Sequence, residues 1–168
     1  KKITFDDARE VCCMSREFVI WEMISSVALK KEVQSLSLLE DAFNDGCSSE
    51  FILTMLLRSV RLSLMLKDLM KDNSADESIS KIKQFTKEKN DSGLGRSPAY
   101  GDYEIKKTCD QSNSFYATMS MNELLVCFDN IVNSMIKIRM SSSERDKQTV
   151  MVMLIISICL PKCVRISF

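Results

Sequence analysis

The sequence predicts an all-α domain of six or seven helices, packed as a single bundle or as a short stack of antiparallel helix pairs. Three observations predict it. Residues 150 to 160, Val-Met-Val-Met-Leu-Ile-Ile-Ser-Ile-Cys-Leu, carry a single polar side chain. A membrane-spanning helix needs about 20 apolar residues, so this run fills a core and does not cross a bilayer. A second segment, about 50 to 71, is apolar around most of a helix's circumference, which marks a central helix. Third, helix-start signals precede several amphipathic stretches, and Ser120 followed by Glu123 is the clearest capping box.

The elements follow in order. Thr4 with Asp7 is a plausible N-cap with a carboxylate at the positive end of a helix, and an apolar stripe continues to Leu29 as one long helix or two joined near Ser15. Ser35 opens a shorter helix carrying Leu36, Leu39 and Phe43, which Asn44-Asp45-Gly46 stops because Gly takes left-handed geometry cheaply. Ser48 or Ser49 caps the 50 to 71 helix. A charged stretch from Asp72 to Lys89, thinly striped by Ile79, Ile82 and Phe85, fits a short peripheral helix.

Residues 90 to 101 hold three of the four glycines and one of the two prolines, which predicts a flexible insertion near 90–103. Residues 102 to 118 show neither helical nor strand period. The capping box at Ser120 opens an amphipathic helix through Ile138 whose polar face holds Asp129, Asn130, Asn133 and Lys137. Ser143 with Asp146 starts the element containing the 150 to 160 run. Helix is preferred there over a buried strand, the alternative that its β-branched residues leave open.

At 168 residues the chain is predicted to be a single helical domain over 1–168, a fragment of a longer protein, with 72–103 as its charged, partly flexible insertion. Such a length buries roughly 70% of the unfolded surface, so neither disulfide nor metal is needed. Lysine plus arginine and aspartate plus glutamate both number 23, which removes the basic field that drives non-specific nucleic-acid binding. The seven cysteines include no Cys-x-x-Cys pair, and Cys127 and Cys159 sit in apolar helical patterns. Reduced thiols and an intracellular location, cytoplasmic or nuclear, are the expectation.

Catalytic chemistry finds little purchase. The chain has no histidine, so the commonest general base and metal ligand are missing. The adjacent acids Asp6-Asp7, Glu40-Asp41 and Asp76-Glu77 point in different directions from a helix and read as helix starts or solvated faces. No catalytic residue, cofactor or metal is expected. Gly93-Leu94-Gly95 lacks both the preceding strand and the third glycine of a dinucleotide loop.

Two short segments resemble known motifs. Asp91-Ser92-Gly93-Leu94-Gly95-Arg96-Ser97 is similar to the Asp-Ser-Gly…Ser phosphodegron read by F-box ubiquitin ligases, with one residue more than the usual spacing. The resemblance implies phosphorylation at Ser92 and Ser97, and Ser97-Pro98 also fits a proline-directed kinase. Leu36 to Phe43 resembles the Leu-x-x-x-small-Asp core of a Bcl-2-class death-motif helix. Glu40 stands where that motif wants a small residue, and an ordinary amphipathic helix accounts for the same pattern.

The preferred functional reading is a non-enzymatic helical protein-interaction or assembly module, a scaffold whose partners are other proteins, self-association among them, regulated by phosphorylation of the 91–98 loop. Candidate contact residues are Phe18, Trp21 and Ile24 on the first helical region and Val164, Ile166 and Phe168 in the C-terminal tail. The alternatives are a secreted four-helix cytokine-like ligand, a Bcl-2-like survival regulator and a viral matrix-type structural protein.

Overall fold

Helix-capping chemistry sets most element boundaries in the computed structural model of the chain, which describes residues 16–91, 105, 108–109, 112 and 114–160. Helix α1, Arg16–Ala28, closes in a Schellman turn: Lys31 N–H donates to the Ser26 carbonyl and Lys30 N–H to that of Val27, both at 3.0 Å. Lys30 therefore takes the left-handed geometry, at φ 57°, usually reserved for glycine. Helix α2, Glu32–Asn44, ends the same way, and there Gly46 occupies the left-handed position at φ 78°.

The start predicted at Ser35 is corrected to Glu32. The turn that closes α1 delivers the chain directly into α2 behind Lys31, which makes no side-chain cap, and the Ser35 hydroxyl donates back to the Lys31 carbonyl at 2.8 Å. Helix α3, Ser49–Leu69, begins where Ser48 accepts from the Phe51 N–H at 3.2 Å. Helix α4, Ala75–Asp91, opens on a second capping box, in which Ser74 and Glu77 exchange side-chain and backbone bonds of 3.1 and 3.4 Å. The short α5, Phe115–Thr118, starts at Ser114. Helix α6, Met121–Met140, carries the predicted Ser120–Glu123 box, and α7, Glu144–Cys159, makes the 150 to 160 run helical.

Among the described residues there are seven helices and no strand. The α1–α2 pair folds together across a three-residue turn, and α6 packs between α3 and α7. Helix α7 then returns to α1 and α2. A solenoid repeat touches only its neighbours, so this closure of the last helix onto the first two makes the arrangement a bundle.

The main core joins α1, α2, α6, α7 and the first half of α3. Leu154 and Ile155 of α7 are fully buried in the same cluster as Ile52, Leu53, Leu56 and Val60 of α3, so the two apolar segments share one core. The broader packing partners of α7 are nevertheless α6 and α2. A second, smaller cluster sits at the far end of α3, where Leu62 and Leu66 meet Ile82 of α4 and Ile105. Among its described side chains, the charged 75–91 helix meets this cluster through buried Ile82 and half-buried Ile79. The flexible insertion predicted near 90–103 lies outside the described residues beyond Asp91.

Asn130 corrects the predicted polar face of α6. It is buried between α6 and α7, where its amide donates to the Ser157 hydroxyl at 3.5 Å, while Ser157 itself donates to the Leu154 carbonyl at 2.7 Å. Two further contacts fix helix ends at the surface. Lys147 at the start of α7 pairs with Glu50 at the start of α3 at 2.7 Å, and Lys30 pairs with Glu123 of α6 at 2.7 Å.

Candidate functional site

Helix α6 presents two apolar faces. Its inward face carries Leu124, Cys127, Ile131 and Ile138, all buried. At 100° per residue, Leu125, Val132, Ile136 and Met140 lie within an arc of about 80° on the opposite side. Leu125 is 49% exposed, Ile136 53% and Met140 82%, and Val132 is half-buried. The strip follows one side of the helix for most of its length, interrupted by exposed Asp129 and Asn133. The capping box and the Lys30 contact fix its N-terminal end, so the strip stands on a rigid support.

The electrostatics around that support are local. Glu123 is held down to about 2, chiefly by the Lys30 ammonium and then by donation from Ser120. Across the molecule, the Lys147 ammonium lowers the Glu50 carboxyl, and Glu50 raises Lys147 in return. Ser49 and Glu144 complete that contact with a bond of 3.2 Å. Both are structural ties between helix starts.

Of the residues named from sequence as contact candidates, the structure describes the side chains of Trp21 and Ile24. Trp21 lies half-buried against the main core. Ile24 is corrected from surface to core: it is 4% exposed because α1 is covered by α2, α3, α5 and α7. Phe18 falls within α1, but its side chain lies outside the described residues, as do Val164, Ile166, Phe168, Ser92 and Ser97.

No family model, curated protein or solved structure matches this chain.

The reading of the surface therefore rests on the residues alone. The outward strip of α6 was missed although its signal was present. Leu124 beside Leu125, and Ile136 beside Ile138, spread the apolar residues over more than one side of the helix. An open groove of about 630 Å³ runs along the α1–α2 corner beside Glu22, Lys31, Glu32, Val33, Leu38 and Asp41. A smaller recess of about 310 Å³ lies between α3 and α5, where the Tyr116 hydroxyl donates to the Met70 sulfur at 3.1 Å and Lys67 stands 5.1 Å from the ring centroid.

Among the described residues no group of three or more Cys, Asp or Glu side chains is placed to hold a metal ion. Cys47, Cys127 and Cys159 are buried and Cys109 is half-buried. A buried Cys side chain packs as a small hydrophobe. No helix among the described residues is long and apolar enough to cross a membrane.

Proposed function

We infer that this chain is a non-enzymatic helical protein-interaction or assembly module, and that the outward face of α6 is a surface on which it binds another protein. The observation that carries this reading is the strip of Leu125, Val132, Ile136 and Met140 standing in solvent on a firmly capped helix. Folded monomers rarely keep a large contiguous apolar patch uncovered, and such patches with polar borders mark contact sites. Asn133 and Arg139 provide that border, and Asp129 breaks the strip between Leu125 and Val132. A second support is the absence of histidine from the sequence, which removes the usual proton-transfer group.

The test is a photo-crosslinking residue placed at Ile136 of the full chain in cells, compared with the same residue at exposed Asp76 on α4. The reading predicts discrete protein adducts at 136 well above those at 76. Equal, background yields at both positions would remove it.

A further inference from the structure

We propose that the groove along the α1–α2 corner is a docking site for a basic, amphipathic segment of another protein, seated apolar side inward. This surface is distinct from the outward strip of α6, and its test does not depend on that strip.

The groove combines concavity, apolar contact and one sign of charge. Leu38 of α2 lines it and is buried, while Val33, five residues earlier, also lines it and is 84% exposed. An isolated exposed valine is ordinary, but here Val33 and Leu38 line a recess large enough for several side chains of a partner.

Charge decides what kind of partner fits. Among the described residues, Glu22 from α1 and Glu32 and Asp41 from α2 line the groove, with Lys31 as the cation beside them. Glu32 and Asp41 are exposed, and both lie on the helix that carries Leu38 and Val33. The whole chain is balanced at 23 cations and 23 anions, so this excess is a property of the corner and not of the protein. An apolar recess rimmed by carboxylates is complementary to a segment that alternates apolar and cationic residues. Its lysine or arginine stems would lie along Val33 while their heads meet Glu32 and Asp41. An acidic segment would meet three like charges among the described lining residues, which costs more than Lys31 returns.

The corner is also built to hold its shape. The Schellman turn through Lys30 fixes the angle between α1 and α2, and the Lys30 side chain is anchored on Glu123, away from the groove lining. A preformed recess avoids the ordering cost that weakens binding to mobile surfaces.

The experiment uses the full chain and a fluorescein-labelled synthetic peptide of alternating leucine and lysine pairs, followed by anisotropy. The control peptide carries glutamate in place of lysine. The proposal expects saturable binding of the lysine peptide in the micromolar range, little binding of the glutamate peptide, and weakening as salt rises from about 50 to about 500 mM. Glu32→Lys with Asp41→Lys should weaken binding about tenfold or more, and Val33→Ser severalfold. Asp68→Lys with Asp72→Lys makes the same charge change elsewhere and should leave binding intact. Circular dichroism of each variant confirms that the helices persist. Equal effects of both charge pairs, equal binding of the two peptides, or no binding at all would each overturn the proposal. Loss of binding in Ile136→Ser, which touches only α6, would move the site there and overturn it as well.

Discussion

Along α6 the inward face carries Leu124, Cys127, Ile131 and Ile138, and the outward face carries Leu125, Val132, Ile136 and Met140. The two sets are alike in hydrophobicity, yet one is buried and the other stands in water. What separates them is the polar residues that accompany each. The inward side also holds Asn130 and Ser134, compact groups that let α3 and α7 approach closely, and Asn130 finds its partner in Ser157 of α7. The outward side is bordered by Asn133 and Arg139, whose amide and charge suit the edge of a contact surface, and is broken by Asp129. Apolar content says that a face wants cover; the neighbours decide whether the same chain supplies it.

Substitution of matched residues gives the strongest way to break this comparison. Ile131→Ala should destabilise the fold by about 2–5 kcal/mol, because it opens a cavity between packed helices. In thermal unfolding that is a fall of several degrees or more for a domain of this size. Ile136→Ala should change stability by no more than about 0.5 kcal/mol, since its side chain is already wet. Similar losses at both positions would show that the outward strip is covered within the chain.

The buried polar pair gives the next test. Asn130→Ala should cost about 1 kcal/mol in denaturant unfolding, since Ser157 keeps its bond to the Leu154 carbonyl. Ser134 differs from Asn130 in that its hydroxyl is buried without a hydrogen-bond partner. Ser134→Ala should therefore leave stability unchanged or raise it by up to about 1 kcal/mol. A clear loss at Ser134 would show that its hydroxyl has a role in the packed state.

Glu123 lies at the edge between the two faces, and its tie to Lys30 responds to pH. Its folded-state value of about 2 lies below the ordinary 4.5, so the stabilisation is fully present above about 4.5 and is lost as pH falls through about 2. The pair is partly solvated, which limits the effect to about 1 kcal/mol. Acid titration of stability should show this component in the native protein, and Glu123→Gln should remove it. An unchanged profile in the variant would assign the pH dependence elsewhere.

The smallest effect is expected at the turn that feeds the same tie. Lys30→Gly relieves a left-handed backbone at a non-glycine residue but removes the bond to Glu123, two effects each of about 1 kcal/mol. The net change in unfolding midpoint should be close to zero. At α2 the matched substitution Gly46→Lys gains no such partner and should lose about 1 kcal/mol.

Much of this fold was legible because its signals are local. Ser48, Ser120 and Gly46 mark helix ends through bonds made within a few residues, and each is found at or beside the predicted boundary. The start of α2 was placed late because Ser35 imitates a cap, whereas the true boundary is set by the preceding turn. The capping box at Ser74 passed unnoticed in a stretch read chiefly for its charge. The contact surface was hardly legible: Ile24 and Ile136 are both isoleucines in helical apolar patterns, and only their neighbours distinguish a core position from an exposed one.

By itself, then, the sequence determined the helical class, most helix ends and the exclusion of histidine-based chemistry. These depend on composition and on interactions across a few residues. Tertiary structure alone decided that α7 closes onto α1 and α2, that Asn130 is interior, and that one apolar face of α6 is left uncovered. The physical reason is that burial is a relation between distant segments. A helix with two apolar faces carries no mark of which one its own chain will cover.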